Sequence, residues 1–161
     1  MTTIAVTGHM DLTDSTVPLV RDALRQTLTP YAAGLTGVSC IAKGSDSLFA
    51  EIVLELGGRL VVVIPSKDYR ENKVKPDHAE TFDRLMKAAD EVLVLEHETA
   101  NRSAYEDANR TLLQRADRLV AVWNGEPPSG KGGGSADTVL EARGADLPVD
   151  VVWPHGAARR G

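Results

Sequence analysis

Six short runs rich in Val, Ile and Leu recur along the chain, at residues 4–6, 38–41, 60–64, 92–95, 119–123 and 149–153, with helical stretches between them. A strand that is apolar on both faces must be covered on both, and a crossover helix between consecutive strands makes their pairing parallel. The pattern therefore predicts an α/β fold in which a mostly parallel sheet of about six strands lies between two helical layers. Helices are expected at 15–31, 45–56, 77–89, 101–115 and 134–143. Asp14 or Ser15 suits the start of the first, Ser45 or Asp46 the start of the second, and Gly57-Gly58 can end the second before the third strand.

With 161 residues, 42% of them apolar, the chain can bury one substantial core. A single ligand-binding domain over 1–154 is expected, with 155–161 as a flexible tail. The formal charge of −5 leaves no broad basic face, which argues against nucleic acid and against anionic membranes as partners, while a local basic pocket stays open. Cys40 is the single cysteine, so no disulfide forms within the chain, and Cys and His show no metal-finger spacing; no metal site is expected. No stretch approaches the roughly 18 apolar residues of a membrane span, and the start of the chain lacks a basic, apolar leader. A cytoplasmic protein is the expectation.

In an open parallel sheet, ligands bind beyond the carboxyl ends of the strands, near the point where strand order reverses. That rule gathers the loops 8–13, 42–46, 65–76, 96–102 and 124–135. The first strand ends in Thr7-Gly8-His9, where a small residue brings backbone close to a ligand; His9 serves equally as a ligand contact or as a packed, hydrogen-bonded histidine. Lys43-Gly44-Ser45-Asp46 is a glycine turn before a helix. Ser45 and Asp46 fit helix capping there, or ligand contact, with Asp46 better matched to sugar hydroxyls than to phosphate. Lys67, Arg70, Lys73 and Lys75 crowd around Tyr69 as a cationic lid or an ordinary solvated loop. Tyr105 and Asn109 share a helix face and, with Asp117, either line a pocket or serve packing and backbone donors.

The most suggestive segment follows the fifth run. Gly125 through Lys131 has the spacing of a phosphate-binding P-loop, but Gly132 stands where that motif needs Ser or Thr for magnesium, and Pro127 and Pro128 lack N–H donors. The stronger anion seat is Gly133-Gly134-Ser135 at a helix start, where glycines allow close backbone approach and amides converge. The alternative is a plain surface turn.

Together, Thr7-Gly8-His9, Gly44-Ser45-Asp46, Tyr105 with Asn109, Ala116-Asp117, Ala121 through Gly125 and Gly133 through Asp137 resemble the SLOG superfamily, the Rossmann-like group that contains DprA and the LOG phosphoribohydrolases. The resemblance implies a Rossmann-like three-layer sandwich. It also implies a pocket for a nucleotide or nucleotide-derived phosphoribosyl molecule, with ligand-binding residues Gly8, His9, Gly44, Ser45, Asp46, Asn124, Gly125, Gly133, Gly134 and Ser135, and self-association into a homo-oligomer. The LOG motif Pro-Gly-Gly-x-Gly-Thr-x-x-Glu is not preserved: Ser135 replaces its threonine and, in that register, Thr138 its glutamate. Met10 also stands where the family often has arginine.

A binder, acting as a sensor, is thus expected ahead of an enzyme, and neither a catalytic residue nor a cofactor is assigned. One rival is an N-glycosidic hydrolase using Asp46, Asp137 or Glu141 with His9 assisting. The other is a protein-interaction domain with a vestigial pocket.

Overall fold

A computed structural model describes residues 1–130 and 134–161. The apolar runs become strands β1 (Thr2–Gly8), β2 (Leu35–Ser39), β3 (Arg59–Ile64), β4 (Glu91–Val94), β5 (Arg118–Val122) and β6 (Val149–Val151). Between them lie helices α1 (Thr16–Leu28), α2 (Ser45–Glu55), the short α3 (Tyr69–Asn72), α4 (Pro76–Ala88), α5 (Arg102–Arg115) and α6 (Ser135–Gly144). Every pairing is parallel and the order is β4-β3-β2-β1-β5-β6. The chain moves outward from β1 to β4, then returns to β1's other side with β5. Strand order therefore reverses between β1 and β5.

Burial follows from that arrangement. The middle of β1 and nearly all of β3 and β5 are buried, whereas edge strand β4 alternates between half-buried and exposed residues. Successive side chains point to opposite faces. Ile4 and Val6 join Val20, Leu24, Phe49 and Val53 from α1 and α2, while Ala5 joins Ala108, Leu112 and Val139 from α5 and α6. A third cluster seats Phe82 and Leu85 of α4 against Leu60, Val62 and Ile64. The large side chains among these each contribute roughly 1.5–3 kcal/mol by leaving water. Among the described residues no helix is long and apolar enough to cross a membrane.

Three local features differ from the sequence expectation. Strand β2 starts and ends earlier than residues 38–41, because Ser39 turns the chain: its hydroxyl donates to the Asp46 carbonyl at 3.0 Å and accepts from the Ile41 N–H at 2.9 Å. The stretch after β3 contains the helical turn α3, which buries Tyr69 against Phe82. The last residues, expected as a free tail, run back along the loop after β1. Leu12 bridges Arg159, the Thr13 N–H donates to the Ala158 carbonyl, and Arg159 and Arg160 pair with Asp11 and Asp14.

Candidate functional site

Strand order reverses between β1 and β5, where an open parallel sheet is expected to hold its ligand crevice, and the loops at the carboxyl ends of those strands are fastened by His9. Its N–H donates to the Val122 carbonyl at 3.0 Å and its carbonyl accepts from the Ser45 N–H and hydroxyl at 3.2 and 2.8 Å. The ring Nε2 accepts the Asn124 N–H at 3.1 Å, so the neutral ring carries its proton on Nδ1. Trp153 packs edge-on against the ring, 5.5 Å between centroids. Burial, reinforced by the nearby Arg159 guanidinium, holds the His9 pKa below its usual value. A neutral histidine thus ties β1, β5, α2 and the segment after β6 together.

Gly8 and Gly44 answer to the same crossing. A Cβ at Gly8 would lie 2.4 Å from Ser45 Cβ and 2.9 Å from Val122 Cβ. Gly44 has φ +86°, and a Cβ there would meet the His9 and Met10 carbonyls at 2.8 Å. Gly44, not Ser45 or Asp46, is the residue at the N-cap of α2; the Ser45 hydroxyl reaches across to His9 instead of capping its own helix. Asn124 Oδ1 accepts the Glu126 N–H at 3.1 Å across Gly125, whose φ is +86°.

Asp46 is half-buried beside this crossing, and desolvation pushes its carboxyl up to about 7 despite a hydrogen bond from the Ala42 backbone. Burial also raises the Cys40 thiol and the Tyr69 and Tyr105 hydroxyls, which share one electrostatic neighbourhood at the carboxyl ends of β2 and β3. Tyr105 stands edge-on to Tyr69 at 6.5 Å. Asp117 lies at the opposite end of the sheet, where its Oδ2 accepts the Thr3 N–H at 2.8 Å, so it satisfies a backbone donor away from the crevice.

The glycine-rich segment meets the crevice at α6. Gly134 is the exposed N-cap residue, and the Ser135 hydroxyl lies 3.4 Å from Thr7 Oγ1 at the end of β1. Asp137 turns back to accept the Gly134 N–H at 3.2 Å, while Glu141 is exposed further along. Lys131, Gly132 and Gly133, including one expected ligand residue, lie outside the described residues. In the expected cationic lid, Lys67 pairs with Glu98 and Arg70 with Asp83. Among the described residues no group of three or more His, Cys, Asp or Glu side chains could hold a metal.

Sequence reasoning missed Trp153 and Arg159, both of which shape His9; neither has a local signal, since each is more than 140 residues away along the chain. It also missed Asp68, which gathers Ser66, Asn72 and the Ala100 N–H.

No family model and no curated protein sequence matches the chain. Solved structures do. The chain is similar to DNA processing protein A (DprA) of Streptococcus pneumoniae, with a TM-score of 0.69 and 16% identity over 97% of this chain and 52% of that one. It thus spans about half the length of that protein. DprA of Helicobacter pylori gives 0.65 and 16% identity over 98% and 68% of the two chains. The molybdenum cofactor binding protein of Rippkaea orientalis gives 0.58 and 16% over 95% and 77%. The fold is therefore the Rossmann-like one of these proteins, as the sequence motifs led one to expect.

These neighbours overturn the expectation that nucleic acid is excluded as a partner, because the Helicobacter pylori protein has a single-stranded DNA binding mode. Net charge sums the whole surface, whereas a strand touches only a patch of it. An acidic total therefore does not exclude nucleic acid.

Proposed function

We propose that this is a cytoplasmic binding domain for a nucleotide or a related phosphorylated ribose compound, held in the crevice between β1 and β5 and acting as a sensor. The observation that carries the reading is the start of α6 beside Thr7, at the point of strand-order reversal. First-turn amides of a helix have no partner within it, and the helix dipole favours an anion there. Space at Gly134 supports close approach: among the described residues a Cβ would meet Asp137 Oδ2 alone, at 3.6 Å. The phosphate would sit at Gly134 and Ser135; Gly133, the remaining residue of the expected seat, lies outside the described residues. Gly8, His9, Gly44, Ser45, Asn124 and Gly125 shape the crevice, and Asp46 faces the sugar. That a protein of this fold binds molybdenum cofactor supports a small-molecule role.

Calorimetry with nucleoside mono- and diphosphates and ADP-ribose, on wild type and Gly134→Asp, tests the proposal. Gly134 has φ −83°, so the variant is unstrained and adds a second carboxylate beside Asp137. At least one compound should bind wild type and lose about tenfold or more in the variant. Absence of binding to wild type across the panel would sink the reading.

A hydrolase reading draws on Asp46, whose carboxyl near 7 falls in the range useful for general acid–base chemistry. Release of free base from a nucleoside monophosphate, lost in Asp46→Asn, would favour it.

A further inference from the structure

A separate cavity of about 540 Å³ opens between the loop after β1, the start of α2 and the start of α4. Its size falls in the range of small-molecule sites, and Leu12, Val17, Leu48 and Val74 give it apolar walls. His78 lines it while being only 8% exposed. The His78 Nε2 lies 3.0 Å from the Ile41 carbonyl and 3.3 Å from the Ser47 hydroxyl. Ser47 itself donates to the Ala42 carbonyl, so the proton on Nε2 goes to Ile41. Among the described residues Nδ1 has no hydrogen-bond partner and no buried side-chain polar atom lacks one, so Nδ1 is not sealed in the interior, and His78 lines the cavity.

Charge around the rim is unbalanced. Each carboxylate at the wall is matched by arginine: Asp11 by Arg159, Asp14 by Arg160, and Glu51 by Arg21 and Arg84. Lys43 is tied to Asp77. Lys73 and Lys75 also line the cavity and make no ion pair among the described residues. Two uncommitted cations over apolar walls and a buried imidazole select for a molecule with both an anionic group and an apolar body.

We propose that this cavity, which adjoins the crevice between β1 and β5 at Gly44, is a second binding site, for a small organic anion with an aromatic body. The lysines hold the anion, the apolar walls take the ring system, and His78 Nδ1 supplies a polar contact at the floor. The inference does not depend on nucleotide binding in the crevice.

1-Naphthyl phosphate, 1-naphthol and inorganic phosphate, titrated into the full chain by calorimetry and NMR, separate the contributions. Naphthyl phosphate should bind one-to-one, about tenfold or more tighter than either fragment. The His78 imidazole resonances should move while those of His9 stay. A Lys73→Gln/Lys75→Gln double variant, changed only at exposed positions, should weaken binding about tenfold, and Thr81→Trp, which fills the cavity from α4, should abolish it. Gly134→Asp should leave it unchanged. Equal affinity for naphthol, insensitivity to the lysine changes, or loss in Gly134→Asp with a shift at His9 would each overturn the proposal, as would failure of naphthyl phosphate to bind. Nucleotide binding that survives the lysine changes and fails in Gly134→Asp belongs to the crevice alone.

Discussion

Replacing Gly8 by Ala tests whether the crossing of β1, β5 and α2 demands glycine for packing. The new methyl would lie 2.4 Å from Ser45 Cβ, 2.8 Å from Ser45 Oγ and 2.9 Å from Val122 Cβ. Two of those atoms are Cβ atoms fixed directly to the backbone of α2 and β5, so no rotamer change relieves them. Overpacking a close-packed interior costs about 1–3 kcal/mol, and immovable neighbours put this site near 3. For a chain of this length that corresponds to a fall in Tm of about 6–12 °C. Urea unfolding followed by circular dichroism reads the cost directly. Ser45→Gly alone removes the 2.8 Å hydrogen bond to the His9 carbonyl and should cost about 1 kcal/mol. Combined with Gly8→Ala it also removes two of the three clashing atoms, so the pair should be less damaging than the sum by about 1 kcal/mol or more. A Gly8→Ala protein within about 0.5 kcal/mol of wild type, or strictly additive variants, would refute the packing account.

The titrating groups make their own demands on stability and on NMR titrations. Because the folded protein holds the His9 pKa below 6.5, the unfolded chain takes up that proton first; the contribution is complete above 6.5 and is lost as pH falls below it. His9→Gln, which keeps an acceptor for the Asn124 N–H, should therefore lose less stability than wild type between pH 7.5 and about 5.5 in denaturant titrations. Arg159→Gln removes one cause of the depression and should move the His9 titration upward by NMR; an unchanged midpoint would contradict the assigned electrostatics. Asp46 has the opposite sign: its carboxyl rises from 3.8 to about 7 on folding, so its contribution is complete below 3.8 and lost as pH rises to about 7. Asp46→Asn should therefore gain stability relative to wild type between pH 4 and 8, by up to about 4 kcal/mol and by less where water reaches the carboxyl. Equal differences at both pH values would count against it.

The layered α/β fold was legible because the period and length of the apolar runs carry it. The runs at 60–64 and 119–123 read as strands and supply β3 and β5, the latter ending at Val122, since a segment buried on both faces has little alternative to a covered parallel sheet. The glycine turns after β1 and β2 were equally visible, but their reason was not. Gly8 and Gly44 invite a ligand when read along the chain; in three dimensions their missing side chains admit Ser45, Val122 and the loop after β1. His9 fits two roles when read along the chain, and its contacts with Asn124 and Trp153 come from residues distant in sequence.

The alternation of strands and helices, and the clustering of polar turns at the carboxyl ends of the strands, follow from the local pattern of residues alone. Folding in three dimensions was needed to locate the reversal of strand order, to turn Asp117 toward the far end of the sheet, and to dock the final residues on the loop after β1. It also brought Lys73, Lys75 and His78 to one cavity. Local periodicity fixes which face of an element is apolar, because a side chain's direction follows from backbone geometry. Burial, desolvation and unbalanced charge depend on neighbours brought together from distant parts of the chain, and no local pattern encodes them.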